Sequence, residues 1–204
     1  MSQSLARRWK ILCALLSLLS VVLAGLAYKL YKTTSLLYGR ELEVRLEPFG
    51  DTLSLPSEAE ILFVGDSRVE EWSTDELGMN VGKLGGPGQT SAQVIHRFQL
   101  LRDSKPKDVF IQVGINDLKA IPFVRLGRQK IVDDLITNLG SIRDQCEQMG
   151  AIAIVSTILP RGPLGLEDRL RWSDEIDEAV LETNKKIRKT FPNHFDAAAF
   201  ISTE

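Results

Sequence analysis

From residue 59 onward, short apolar runs alternate with stretches in which apolar residues recur every three or four positions. The runs predict strands over residues 60–64, 79–81, 108–113, 151–159 and 194–200. Three of them are continuously apolar rather than alternating, the pattern of strands covered on both faces. Between them, "RQKIVDDLITNLGSIRDQCEQMG" carries Ile131, Leu135, Leu139, Ile142, Cys146 and Met149 at steps of four and three, which is one core-facing stripe of a helix. Gly150 stands at its C′ position. A second helix is expected over residues 173–190, where Ser173 is placed to cap, acidic residues follow, and Ile176, Val180 and Ile187 share a face. Strand and helix in alternation imply parallel strands joined by right-handed crossovers. The expected fold class is α/β, a three-layer α/β/α sandwich on a five-stranded parallel sheet.

The pattern upstream is different. Residues 32–58 predict a connector with one short edge strand in "ELEVRLEP", where Leu42, Val44 and Leu46 alternate with charged residues before Pro48. Residues 11–28 carry no charge at all, and about 18 such residues are roughly the minimum that crosses a hydrocarbon core. Arg7, Arg8 and Lys10 precede the run, which by the positive-inside rule leaves the N-terminus in the cytoplasm and the rest outside. Trp9, Tyr28 and Tyr31 sit where interfacial aromatics belong. A cleaved signal peptide is the competing reading, with small residues at Gly25-Leu26-Ala27. The expected organisation is a cytoplasmic 1–10, a single-pass signal anchor at 11–31, a linker at 32–58 and one catalytic-sized domain from 59 to 204. On either reading the domain is extracytoplasmic, beyond the cytoplasmic membrane of a bacterium.

Composition narrows the partners. The 204 residues are 44% hydrophobic and 25% charged, enough for one domain with a sizeable core. A formal net charge of -2 without a long basic run argues against nucleic acid. Cys13 and Cys146 lie too far apart in sequence to suggest a disulfide framework or a metal site. Histidine occurs only twice, at His96 and His194.

In an open parallel α/β sheet, ligands bind outside the carboxyl ends of the strands. That rule singles out "VGDSR" at 64–68, "NVGKLGGPGQT" at 80–90 and "VGINDL" at 113–118. A serine at the first, just ahead of a helix, has its hydroxyl at the sheet rim and its N–H pointing where negative charge would be stabilised. The plainer reading is a strand-to-helix turn, eased by Gly65 and capped by Asp66 or Ser67. Gly82, Gly85, Gly86 and Gly88 let backbone N–H groups come close to a ligand, or simply make a flexible loop. Asn116 offers an uncharged donor after an apolar strand, and both it and Asp117 can equally cap the next turn.

Together, "ILFVGDS", "NVGKLGGPGQT" and "QVGINDL", in this order, resemble the first three motif blocks of the SGNH (GDSL-type) hydrolases, a family of serine esterases and acyl hydrolases. The resemblance covers residues 59–204. It implies a flavodoxin-like α/β/α fold, an ester substrate, and no cofactor or metal. By matching position it makes Ser67 the nucleophile, with the Ser67 N–H, the Gly88 N–H and the Asn116 side chain forming an oxyanion hole. Gly86 rivals Gly88, because this loop carries a short insertion relative to the family's spacing. Asp66 is expected to order the turn through local backbone hydrogen bonds. Arg68 replaces a commonly apolar residue and is expected as a solvated helix start, with contact to an anionic or polar acyl acceptor as the alternative.

The family's base is a histidine in a fourth block, Asp-x-x-His, and no such tetrapeptide occurs in this sequence. His96 is expected on the surface of a helix, His194 at the amino end of the last strand, and Asp196 within that strand, so none is expected to serve. Three accounts arise: a truncated enzyme, a member that has lost catalysis, or a base supplied by another chain. Truncation is preferred, because no residue of the remaining blocks is disabled. The expected function is a serine-dependent ester hydrolase of the cell envelope with weak activity, acting on a small-molecule or glycan ester. Carbohydrate O-acetyl transfer or de-acetylation, and a non-catalytic binding module, are the alternatives.

Overall fold

The computed structural model describes residues 3–42, 59–98, 105–163, 165 and 172–201. The chain divides into two compact units, Met1–Leu37 and Tyr38–Glu204.

The described part of the first unit, residues 3–37, belongs to helix α1 (Gln3–Leu42). Leu15, Leu18, Val21, Leu26 and Leu30 are all exposed, so the helix is apolar around its circumference rather than along one stripe. Its segment Arg7–Gly39 is long and apolar enough to cross a membrane, a property that anchors share with signal sequences. At 1.5 Å per residue the 40 residues span about 60 Å, twice a hydrocarbon core of about 30 Å. The helix runs past the expected anchor end at residue 31 and is still helical at Leu42. Residues 43–58, which include most of the expected edge strand, lie outside the described residues.

The second unit is built on strands β1 (Ile61–Gly65), β2 (Val81–Leu84), β3 (Asp108–Gln112), β4 (Ile152–Ser156) and β5 (His194–Phe195). Helices α2 (Ser67–Glu71), α3 (Ser91–Phe98), α4 (Ile115–Lys119), α5 (Arg128–Gln148), α6 (Asp174–Thr190) and α7 (Ala197–Ile201) lie between and after them. All paired strands are parallel, in the order β2-β1-β3-β4-β5. This is the flavodoxin-like order, in which the chain starts at β1, turns outward to β2 and then crosses back to β3. The carboxyl ends of β1, β2 and β3 therefore lie side by side.

Leu62, Val64, Val109, Ile111, Ala153 and Val155 point to one face of the sheet and are buried. Val94 and Phe98 of α3, the Ile131–Leu135–Leu139–Ile142 stripe of α5 and Ile176, Ala179 and Ile187 of α6 complete the same core. Burying each valine, leucine, isoleucine or phenylalanine among them contributes about 1.5–3 kcal/mol. The opposite face carries Phe63, Phe110 and Ile154, half-buried, with ring centroids of Phe63 and Phe110 5.3 Å apart. Trp72 packs edge-on against Phe63 at 5.5 Å, and Phe195 against Phe110 at 5.7 Å.

Helix α5 ends as its sequence predicts. Gly150 has φ 82°, its N–H donates to Glu147 O, and the Ala151 N–H donates to Cys146 O at 3.0 Å, the paired bonds of a Schellman motif. Ser173 stands at the N-cap of α6 but makes no side-chain capping bond; Asp174, Glu175 and Asp177 supply the favourable charge there.

Three strands differ from expectation by two residues or more, β4 by ending at Ser156 rather than at residue 159. β2 starts at Val81 rather than 79 and continues through Gly82, Lys83 and Leu84, because Gly82 and Leu84 face the core while Lys83 points out. The last apolar run is a strand only at His194–Phe195. Asp196 then accepts the Ala199 N–H on its side chain and the Phe200 N–H on its carbonyl, starting α7, whose three alanines favour helix.

Candidate active site

Ser67 owes its place to the residues on either side of it. A Cβ on Gly65 would lie 2.0 Å from Gln112 O, so only glycine lets β1 run this close to β3 at its end. The Asp66 N–H then donates to that same carbonyl at 3.3 Å, and Asp66 Oδ1 accepts the Arg68 N–H at 3.0 Å, capping α2 as the sequence predicts. Burial raises the Asp66 carboxyl above its ordinary value, against the pull of that hydrogen bond and of the Arg68 charge. Ser67 is the first residue of α2 and is half-buried; an N–H at that position has no acceptor inside its own helix.

The glycine loop begins later than expected, at Gly85, since Gly82 belongs to β2. Lys83 Nζ donates to Glu70 O at 3.2 Å and Trp72 O at 2.8 Å, closing the carboxyl end of α2 from the neighbouring strand. A Cβ on Gly85 would lie 2.4 Å from Glu70 N, so the loop presses backbone against α2. Next, Gln89 N–H donates to Gly86 O, with Pro87 and Gly88 between them and Gly88 at φ 70°, the pattern of a type II turn. Gly86 is enclosed, its would-be Cβ 2.6 Å from Gln89 Cδ and 2.7 Å from Arg97 Nη1. Gly88 is exposed, with nothing within 4 Å of an added Cβ. Of the two rival glycines, Gly88 is exposed and Gly86 is buried.

The third loop closes onto the second. Asn116 Nδ2 donates to Gln89 O, the residue after Gly88, at 3.0 Å. That bond uses one amide hydrogen and leaves the other available. Next to it, buried Asp117 accepts the Ser91 N–H at 2.9 Å and the Ser91 hydroxyl at 2.6 Å, while Asn138 Nδ2 donates to Ser91 Oγ at 2.9 Å. Burial pushes the Asp117 carboxyl up to about 6 in spite of these bonds.

Several residues here escaped the sequence reading. Gln89 is fully buried and accepts from Arg97 Nη1 at 2.5 Å, and Arg97 also donates to Gly85 O at 3.3 Å. The polar run Gln89-Thr90-Ser91 ahead of a helix was the available signal. Arg68 is not the solvated helix start expected of it: it is half-buried, and its Nη1 donates to Leu159 O, beyond β4, at 3.1 Å.

No protein-family model matches the chain, and no curated protein matches it by sequence. Solved structures do match. A proposed acylhydrolase from Bacteroides fragilis NCTC 9343 aligns with a TM-score of 0.54 and 17% identity over 77% of this chain and 78% of its own. A GDSL-like lipase from Bacteroides thetaiotaomicron VPI-5482 aligns with a TM-score of 0.52 and 19% identity over 81% and 77%. The chain has the SGNH-hydrolase fold.

Within that SGNH-hydrolase fold, no hydrogen bond joins either histidine to Ser67 among the described residues. His96 is exposed on α3. His194 pairs with Val155 on edge strand β5, level with the upper part of β4 rather than at the amino rim, and its Nδ1 lies 2.8 Å from Phe191 O. Three strand spacings, about 14 Å, separate β5 from β1. Asp196 lies after β5 rather than within it, paired with Arg188 at 2.7 and 2.8 Å and accepting from Thr157 Oγ1. Those partners, Arg188 first, hold its carboxyl down at about 2.

Proposed function

We propose that this chain is a membrane-anchored, extracytoplasmic ester hydrolase with Ser67 as its nucleophile. The observation that carries the reading is the Asn116–Gln89 hydrogen bond, which ties the donor of the third loop to the residue beside Gly88. With Asp66 bonded to Gln112 and Gly85 pressed on α2, all three carboxyl-rim loops are held together.

In this reading Ser67 Oγ attacks the ester carbonyl carbon. The negative charge that develops on the carbonyl oxygen is shared by the Ser67 N–H, the Gly88 N–H and the second Asn116 amide hydrogen. Fixed donors of this kind are each worth ~10²- to 10³-fold in rate. Collapse of the tetrahedral intermediate expels the alcohol, and water then releases the acid from Ser67. The Ser67 proton has no histidine to receive it in these 204 residues, so their turnover is slow, sustained by the oxyanion donors and binding at roughly 10³- to 10⁴-fold over water.

The apolar Arg7–Gly39 segment behind Arg7, Arg8 and Lys10 supports anchoring with the N-terminus in the cytoplasm. A glycan ester suits an envelope location, and acetyl release that depends on a saccharide acceptor would mark transfer rather than hydrolysis. The absence of an Asp-x-x-His from the sequence, with no hydrogen bond from either histidine to Ser67 among the described residues, favours one competing reading, a binding module that keeps the oxyanion donors as a pocket for an acyl group.

The test is hydrolysis of a short-chain activated ester by the full chain in detergent and by its Ser67→Ala variant. A rate lost with Ser67 supports the nucleophile; equal rates leave the binding module.

A further inference from the structure

Beside Ser67 the chain places a cation, Arg68, that forms no ion pair among the described residues. It is half-buried, and its guanidinium makes one hydrogen bond among them, to the neutral Leu159 carbonyl. A guanidinium has five N–H donors in a fork that matches a carboxylate or phosphate. The neighbouring cations differ: Arg161 is paired with Asp177 at 3.0 Å and stands over the ring of Trp172 at 6.0 Å. Asp66 is the carboxylate whose charge acts on Arg68, yet its Oδ1 is taken by the Arg68 backbone N–H. Burial lowers the Arg68 pKa from its ordinary value, and the Asp66 charge acts against that shift.

The direction of the side chain matters as much as its charge. Gly88 follows β2, on one side of β1, whereas Arg68 reaches the other way, across the end of β3 to the segment after β4. For an ester whose carbonyl oxygen sits among the Gly88 and Asn116 donors, Arg68 is then on the side of β1 away from Gly88, where a substituent of the ester could meet it. We infer that Arg68 is a specificity-determining residue, selecting esters that carry an anionic oxygen group close to the scissile carbonyl and pairing its guanidinium with that group. The inference rests on the Ser67 reading.

The experiment uses two pairs of esters on the full chain in detergent. 4-Nitrophenyl hydrogen succinate against 4-nitrophenyl acetate places the charge on the acyl side; 3-carboxyphenyl acetate against phenyl acetate places it on the alcohol side. The quantity read is the ratio of kcat/KM, charged over neutral. Arg68→Gln is expected to lower that ratio about 10- to 100-fold in one pair, which names the side, and Arg68→Lys to lower it less. Added salt is expected to lower the wild-type ratio and to leave the Gln variant's ratio flat. Because each ratio is internal to one protein sample, a partly unfolded variant does not distort it.

Ser67-dependent turnover with ratios unchanged by Arg68→Gln in both pairs overturns the Arg68 assignment and leaves Ser67 standing. No Ser67-dependent turnover of any ester overturns the nucleophile reading and Arg68 with it. If Arg68→Gln does not fold, an equal response of charged and neutral esters to salt in the wild type overturns the assignment.

Discussion

Asp117 on α4 accepts both the backbone N–H and the hydroxyl of Ser91, the first residue of α3, across 26 positions of sequence. One buried carboxylate thereby caps a helix from another element and fixes the glycine loop relative to Asn116. Its pKa makes that joint pH-dependent. The folded value of about 6 lies above the ordinary 3.8, so between about pH 4 and pH 6 the folded state binds more protons than the unfolded state. Stability is therefore greatest below that window and falls as pH rises through it, by roughly 3 kcal/mol at most. Asp196, held near 2, contributes the opposite slope only below about pH 4, where its stabilisation is lost as pH falls. Thermal unfolding of the full chain at pH 4, 5, 6 and 7 is expected to show Tm declining to pH 6 and levelling after it. Asp117→Asn is expected to flatten the decline; an undiminished slope in that variant would place the titrating group elsewhere.

Asn116→Ala removes one tie to Gln89 and, in the proposed site, one oxyanion donor. The Ser67-dependent rate is expected to drop ~10²- to 10³-fold in kcat with little change in KM, because the donor acts on charge that exists only in the transition state. Steady-state kinetics on an activated ester checks it, and a loss confined to KM would make Asn116 a substrate-binding group instead.

The glycines divide by what surrounds them. Gly65→Ala and Gly85→Ala each drive a Cβ into backbone, at 2.0 Å and 2.4 Å, and are expected to cost about 3 kcal/mol or more. Gly88→Ala meets no atom and bears only the left-handed φ of 70°, a cost of about 1–2 kcal/mol. Denaturant unfolding of the three variants is expected to rank Gly88→Ala mildest.

Cys146 lies buried in the α5 stripe, where burial pushes its thiol up to about 12. Maleimide at pH 7 is expected to leave Cys146 unlabelled in the folded domain and to label it after unfolding, read residue by residue by peptide mass spectrometry. Fast labelling of the native protein would show that α5 opens locally.

Much of the sheet was legible because each of its signals is local. The α5 stripe, the Gly150 ending and the Asp66 turn all depend on residues within a few positions of one another, and the structure bears each of them out. The errors came where a local pattern had two uses. "NVGKLG" reads as strand or glycine loop until Lys83 finds the end of α2, which makes residues 81–84 a strand. "HFDAAAF" reads as strand until Asp196 caps the alanines. Arg68 next to Ser67 reads as a solvated charge until Leu159, 91 residues away in sequence, is seen to accept from it.

By itself the sequence determined the order of the five strands and of helices α5 and α6, the apolar N-terminal segment, the serine at the end of β1 and the absence of an Asp-x-x-His. These follow from periodicity and residue type, which neighbours along the chain display. Only the tertiary structure decided that Gly88 is exposed and Gly86 buried, that Asn116 reaches the Gln89 carbonyl, that Asp117 caps α3 and that Arg68 is partly enclosed with no ion pair among the described residues. Each of those depends on contacts between loops that parallel strands bring to one rim from distant parts of the chain, where burial and donor geometry, not sequence spacing, set the chemistry.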